Sequence, residues 1–166
     1  FRLLRALKNR FGATDEVGVF AMSDGGMREV ANPSDVFLEE SQQGVPGSVV
    51  VVTVSGLRPI LVEVQALVVE TQLPMPRRVS TGIDQRKLQL LVAVLQKRCG
   101  LSLGSSDVFV NVAGGLRLSD PGVDLGVALA IASSFLDKPL PKLSMAVGEV
   151  GLLGEIRQVR RFKQRV

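Results

Sequence analysis

The sequence contains no histidine, no tryptophan, no tyrosine and a single cysteine. Without histidine, Ser-His-Asp triads, Cys-His dyads and imidazole-ligated metals are out of reach. One thiol, Cys99, can close no internal disulfide and supplies no multi-cysteine zinc site. Its place at the end of an apolar helical stretch predicts a small buried hydrophobe rather than a reactive thiol. Aromatics make up 4% of the residues, all of them Phe, so base stacking on aromatic platforms is not the expected mode of any nucleic-acid contact. There is no Gly-x4-Gly-Lys-Ser/Thr run, so the chain alone carries no phosphate-binding loop of that kind. The glycine pairs Gly25-Gly26 and Gly114-Gly115 read as turn residues. No apolar run reaches the roughly 18 residues of a membrane span, and no charged and then apolar leader opens the chain. The chain starts on Phe1 and stops on a basic stretch, which reads as a piece of a longer protein.

What is present is globular in composition. In 166 residues, 46% hydrophobic and 22% charged, there is material for about one domain with a sizeable core. Disorder as the main state is excluded. The net charge of +4 is unevenly spread. Arg2, Arg5, Lys8 and Arg10 lie in the first ten residues with no acid. Arg157, Arg160, Arg161, Lys163 and Arg165 lie near the other end against Glu155 alone. The middle, residues 11–154, carries 11 basic and 15 acidic residues. Clustered Lys and Arg of this kind suit a polyanion, DNA or nucleotide phosphate, or else simply form solvated faces.

Local signals outline an α/β domain with mixed β-pairing. Phe1 to Leu7 reads as the end of a helix or strand, followed by a turn at Gly12. Val17 to Met22 is β-like and turns through Ser23-Asp24-Gly25-Gly26 into Met27 to Val30. Ser34 is placed to cap a short helical turn through Phe37 and Leu38. The valine run from Ser48 to Val54 predicts a buried strand, and Ile60 to Val69 a second one with Glu63 and Gln65 alternating. Thr71 to Arg78 is broken by prolines. Thr81-Gly82-Ile83-Asp84 has capping-box spacing ahead of a helix over 84–98. Leu88, Leu91, Val92 and Leu95 form one face of that helix, and Gly100 stops it. Asp107 to Ala113 is a third core strand. Asp120-Pro121 opens a buried, Gly- and Ala-rich helix to about Leu136. Leu143 to Val150 is a fourth strand, and a basic helix is expected from about Arg160.

Asp124 stands out. A carboxylate one turn into an apolar helix is costly to bury unpaired. The helix N-terminus offsets part of that cost, and Lys163 is a candidate partner if the C-terminal helix folds back. The segments Asp120-Pro121-Gly122-Val123-Asp124-Leu125-Gly126, Gly148-Glu149-Val150-Gly151-Leu152-Leu153-Gly154 and Phe162-Lys163 resemble the proteolytic domain of Lon-type peptidases. On this match Asp124 stands where those enzymes have their nucleophilic Ser, and Lys163 where they have the Lys base. The resemblance therefore implies no catalytic residue here, because a carboxylate beside a Lys forms an ion pair and attacks no amide.

A wider resemblance runs through Lys8-Asn9-Arg10-Phe11-Gly12, Asn32-Pro33-Ser34, Phe37-Leu38-Glu39-Glu40, Gly44-Val45-Pro46-Gly47 and residues 58–68. Together with 120–126, these segments resemble the RadA (Sms) family of bacterial DNA-repair proteins. That resemblance implies a Lon proteolytic-domain-like (ribosomal protein S5 domain 2-like) α/β fold, with mixed β-sheets and packed helices. It implies that residues 1–15 end a RecA-like ATPase domain and that 16–166 form the Lon protease-like domain. Lys8, Asn9, Arg10, Phe11 and Gly12 would form a subunit-boundary motif in a hexameric ring, with Lys8 and Arg10 reaching a neighbour's ATP γ-phosphate.

The chain itself would then be a non-proteolytic DNA-binding and oligomerisation module acting in recombination and branch migration. Candidate phosphate contacts are Arg77, Arg78, Arg86, Lys87, Arg157, Arg160, Arg161 and Arg165, on charge clustering alone. The expected partners are single-stranded and branched DNA, further copies of the chain and RecA, with no membrane. No metal or cofactor is expected in this stretch. ATP and Mg, and zinc in an N-terminal motif, are implied for the full-length protein. The implied location is the bacterial cytoplasm, or an organelle in a plant or alga. A residual Ser/Lys-type peptidase and a purely protein-interaction scaffold are the alternative readings.

Overall fold

The computed structural model describes residues 2–5, 10, 17–23, 25–30, 44–55, 58–142 and 144–165. In chain order the strands are β1 (Arg2–Arg5), β2 (Val17–Ser23), β3 (Gly26–Glu29), β4 (Ser48–Ser55), β5 (Arg58–Glu70), β6 (Arg78–Thr81), β7 (Ser106–Val112), β8 (Met145–Ala146), β9 (Glu149–Val150) and β10 (Ile156–Arg157). The helices are α1 (Gln85–Cys99) and α2 (Asp124–Leu136). This is an α/β fold with mixed sheets. Among the described residues no helix is long and apolar enough to cross a membrane.

The main sheet runs β6-β7-β5-β4-β8. Its centre is antiparallel: Val51 pairs with Val62 across β4 and β5, and Ala66 with Val110 across β5 and β7. Both edges are parallel, β6 on β7 and β8 on β4. β-Branched residues populate this pleated surface because their stiff side chains pack well there. Val51, Val62, Val64 and Val108 are fully buried, each contributing about 1.5–3 kcal/mol by leaving water. They meet the apolar faces of both helices, Leu88, Leu91, Val92 and Leu95 from α1 and Val127 and Ile131 from α2. A second sheet, β1-β2-β3, is antiparallel, and its Ser23–Gly26 turn lies where the glycine pair predicts it. Residues 2–5 thus pair with residues 17–20, on either side of position 15. β9 and β10 form a separate two-stranded ribbon.

Helix ends follow local chemistry, with one correction. The capping-box spacing puts the cap at Thr81, but the N-cap of α1 is Asp84, whose Oδ1 accepts from the Arg86 and Lys87 amides at 2.9 and 3.1 Å. Gly100 closes α1 in the left-handed conformation at φ 70°. Asp120 accepts from the Gly122 amide and starts a single 3-10 turn, Pro121–Val123, which leads directly into α2. Gly126 lets α2 approach the sheet. A Cβ there would lie 2.1 Å from Val51 Cγ1.

Other expectations are corrected. The strand expected over 143–150 is two pieces in different sheets, β8 and β9. Between them Gly148 donates to the Gly122 carbonyl and accepts from the Leu125 amide, docking the chain onto the start of α2. β6 emerges straight after the proline-broken segment, where no strand was expected. The basic helix expected from Arg160 is only a 3-10 turn, Phe162–Gln164, entered through Arg161 at φ 57°. Cys99 is exposed, not buried: it is the last residue of α1, whose buried face ends at Leu95. The helical turn expected at Ser34, Phe37 and Leu38 lies outside the described residues.

Candidate functional site

Three elements converge on Asp124, the first residue of α2. Lys87 reaches across from the first turn of α1 and places Nζ 2.9 Å from Oδ1 and 3.0 Å from Oδ2. The Val150 amide of β9 donates to the same carboxylate. Asp124 is buried, with a side chain only 4% exposed, whereas that of Lys87 is 32% exposed. Burial pushes the Asp124 carboxyl above the usual carboxylate range. The Lys87 ammonium and the Val150 amide pull it back only in part, and the neighbouring Glu149 carboxylate pushes it further up.

This arrangement corrects the expected pairing. Lys163 is exposed in the last 3-10 turn, and the cation on Asp124 is Lys87. The position that the resemblance likens to a nucleophile holds a carboxylate bound by an ammonium and an amide. Such a group has no hydroxyl or thiol to add to a carbonyl. One signal for Lys87 was in the sequence. A Lys in the first turn opposes the helix dipole, which favours acids there, so its charge calls for a partner elsewhere.

The pair forms one wall of a cleft of about 370 Å³. Glu149, Glu155 and Arg157 from the β9–β10 ribbon complete its polar lining, and Leu90, Leu152 and Leu153 its rim. A larger hollow of about 880 Å³ lies at the N-terminal end of α1, beside Ser80, Gln85, Arg117 and Ser119. Its one carboxylate, Asp84, is used as the helix cap. Among the described residues no three His, Cys, Asp or Glu side chains gather to hold a metal ion.

The predicted phosphate contacts sort by their internal commitments. Arg77 donates from Nε and Nη2 to Asp107 at 2.8 and 2.6 Å, and stacks 5.4 Å over the Phe109 ring, yet its side chain stays 60% exposed. The Arg77 amide and guanidinium hold the Asp107 carboxyl below its ordinary value. Arg78 spends its guanidinium on the Leu103 and Ser106 carbonyls, and burial lowers its pKa. Lys87 is bound to Asp124, and Arg157 is paired with Glu155. Arg86, Arg160 and Arg161 are exposed, and Arg161 also has an interaction within the chain.

Arg165 is a correction. It is buried, with Nη1 2.6 Å from Asp120 Oδ2 and 2.9 Å from the Val52 carbonyl, so it ties the last turn to the sheet and offers no surface cation. Burial acts to raise the Asp120 carboxyl, but the Arg165 guanidinium and the Gly122 amide outweigh it and hold the group low. Of the residues 8–12 motif, Arg10 is exposed, while Lys8, Asn9, Phe11 and Gly12 lie outside the described residues.

No protein-family model matches the chain. Over all 166 residues it is 52% identical to a protein named DNA repair protein RadA from Halalkalibacterium halodurans, of which it covers 36%. It is 54% identical to the protein of the same name from Streptococcus pyogenes serotype M3, covering 37%, and 53% identical to that from Listeria monocytogenes, covering 36%. The chain thus spans little more than a third of the length of these relatives.

Proposed function

We propose that the chain, 52–54% identical over all 166 of its residues to proteins named DNA repair protein RadA, is a non-proteolytic DNA-binding and assembly module of a larger repair ATPase of that family. The observation that carries the non-proteolytic part is the Lys87–Asp124 ion pair at the position of the Lon nucleophile. The mixed α/β sheet with two packed helices is compatible with a Lon-like fold. In the assembled protein, ATP with Mg would be held by parts outside these residues, and zinc by an N-terminal motif. Lys8 and Arg10 would supply cations to a neighbouring subunit's γ-phosphate, with residues 1–15 closing the ATPase domain and 16–166 forming the module. A hexameric ring acting in branch migration, in the bacterial cytoplasm and alongside RecA, follows from the same family reading.

DNA contact would fall to the exposed cations Arg86, Arg160 and Arg161, with the free edge of Arg77. Such contacts hold phosphates without reading sequence. Neutralising Arg160 and Arg161 together in the full-length protein should weaken duplex binding. It should also flatten the slope of log K against log salt by about one to two units, equally for unrelated sequences. Identical binding by parent and variant at every salt concentration would overturn the DNA-binding part. Incubation with casein or fluorogenic peptides should give no turnover, and turnover abolished by Lys163→Ala or Lys87→Ala would overturn the non-proteolytic part.

A further inference from the structure

We propose that the cleft beside the Lys87–Asp124 pair docks a protein segment that presents a lysine or arginine between aliphatic side chains. The inference does not depend on the DNA-binding reading. Its first support is exposed apolar surface. Leu152 and Leu153, between β9 and β10, are 64% and 74% exposed, and Leu90 and Ile156 are also more than half exposed. Four large aliphatic side chains gathered in one region mark an interaction surface better than scattered single ones do.

The second support is shape. The cleft of about 370 Å³ adjoins an apolar groove of about 330 Å³ between α1, α2 and the ribbon, and Leu91, Val94 and Val150 line both. Two adjoining hollows accommodate successive side chains of one bound segment.

Charge decides the occupant. The cleft holds two cations and three carboxylates. Lys87 is used by Asp124, and Arg157, although opposite Glu149 in the ribbon register, turns its guanidinium to Glu155. Among the described residues the Glu149 carboxylate has no hydrogen-bond or ion-pair partner. The cleft is one positive charge short. A Lys or Arg stem lies along the leucines while its head reaches Glu149. The added cation would also relieve the repulsion between Glu149 and Asp124. A phosphate backbone would meet the wrong sign here.

The test titrates the chain with a short capped leucine–lysine peptide, followed by calorimetry. Parallel peptides carry glutamate in place of lysine, or serine in place of leucine. The lysine peptide should bind and both controls should not. Glu149→Gln should weaken it about tenfold, the scale of one charged hydrogen bond. Glu149→Lys should transfer preference to the glutamate peptide, and Leu153→Ser should weaken the lysine peptide without changing the sign of the preference. Circular dichroism and melting confirm that each variant is folded, and because Glu149→Gln removes only charge, it carries the test if the reversal variant unfolds. Equal binding of the lysine and glutamate peptides, absence of binding, or indifference to Glu149→Gln would overturn the proposal. So would a self-associated parent that Leu153→Ser converts to monomer while no peptide binds, since the occupant would then be a second copy. Competition by duplex DNA would equally count against it.

Discussion

Removing either member of the Lys87–Asp124 pair should have very unequal effects. Lys87→Met leaves a carboxylate whose side chain is 4% exposed with only the Val150 amide as partner. Stranding one charge of a buried pair costs about 3–5 kcal/mol. Asp124→Asn instead leaves an ammonium that is already about a third exposed and can turn to water. The amide oxygen can still accept from Val150, so the loss should stay near the surface-pair range of about 0–1 kcal/mol. Urea unfolding at pH 7 measures both. With a slope of about 2 kcal/mol per molar for a small domain, Lys87→Met should lower the midpoint by roughly 1.5–2.5 M and Asp124→Asn by less than about 0.5 M.

pH supplies a second reading of the same pair. Burial raises the folded pKa of Asp124, so the folded state holds this proton more tightly than the unfolded chain does. Stability from this group therefore falls as pH rises from about 3.9, the unfolded value, through the folded one. Without Lys87 the folded pKa climbs further and the deficit deepens. The Lys87→Met deficit should accordingly shrink as pH is lowered into that window. The double variant should be more stable than Lys87→Met alone, since the two losses are coupled. A deficit that ignores pH, or an Asp124→Asn loss equal to that of Lys87→Met, would refute this account.

Arg165→Ala strands Asp120 beneath the last turn and should cost about 3–5 kcal/mol, roughly 6–20 °C in melting temperature for a chain of this size. In the parent, Asp120 and Asp107 are held low, so their contribution is present above about pH 3.9 and is lost as pH falls through their folded values. Arg165→Ala should remove the Asp120 share of that acid limb, and a melting curve matching the parent's would refute the tie. Gly126→Ala should cost about 1–3 kcal/mol by overpacking against the fully buried Val51, read as a lower urea midpoint with an unchanged slope. Cys99 should react with a thiol reagent in the native state, one equivalent per chain, and reaction seen only after unfolding would place it inside.

What was legible in the sequence was local. The valine run of β4, the i, i+3, i+4, i+7 apolar residues of α1, the Asp120-Pro121 start and the glycine turn between β2 and β3 each carry their signal within a few residues. What escaped depended on distant partners. β6 is short and exists because β7 offers it a parallel edge. β8 and β9 part company because Gly148 is held by Gly122 and Leu125. Asp124 was conspicuous as a misplaced carboxylate, but its partner lies 37 residues back on another helix. Charge clustering flagged Arg165 as a surface cation, since no pattern in its own neighbourhood announces Asp120 and Val52.

The bond from Arg165 to the Val52 carbonyl joins residues 113 positions apart. During synthesis this sets a schedule. Ribosomes add about 5–20 residues per second, so roughly 6–23 s separate the making of Val52 from that of Arg165. The β4–β5 hairpin and α1 can form in that interval from neighbouring chain. Asp120, in the meantime, waits for its counter-ion. Latching of the sheet on the ribosome therefore waits until Arg165 has been made, and a pause in translation between Val52 and Arg165 would prolong the time for which the unlatched sheet stands accessible to chaperones.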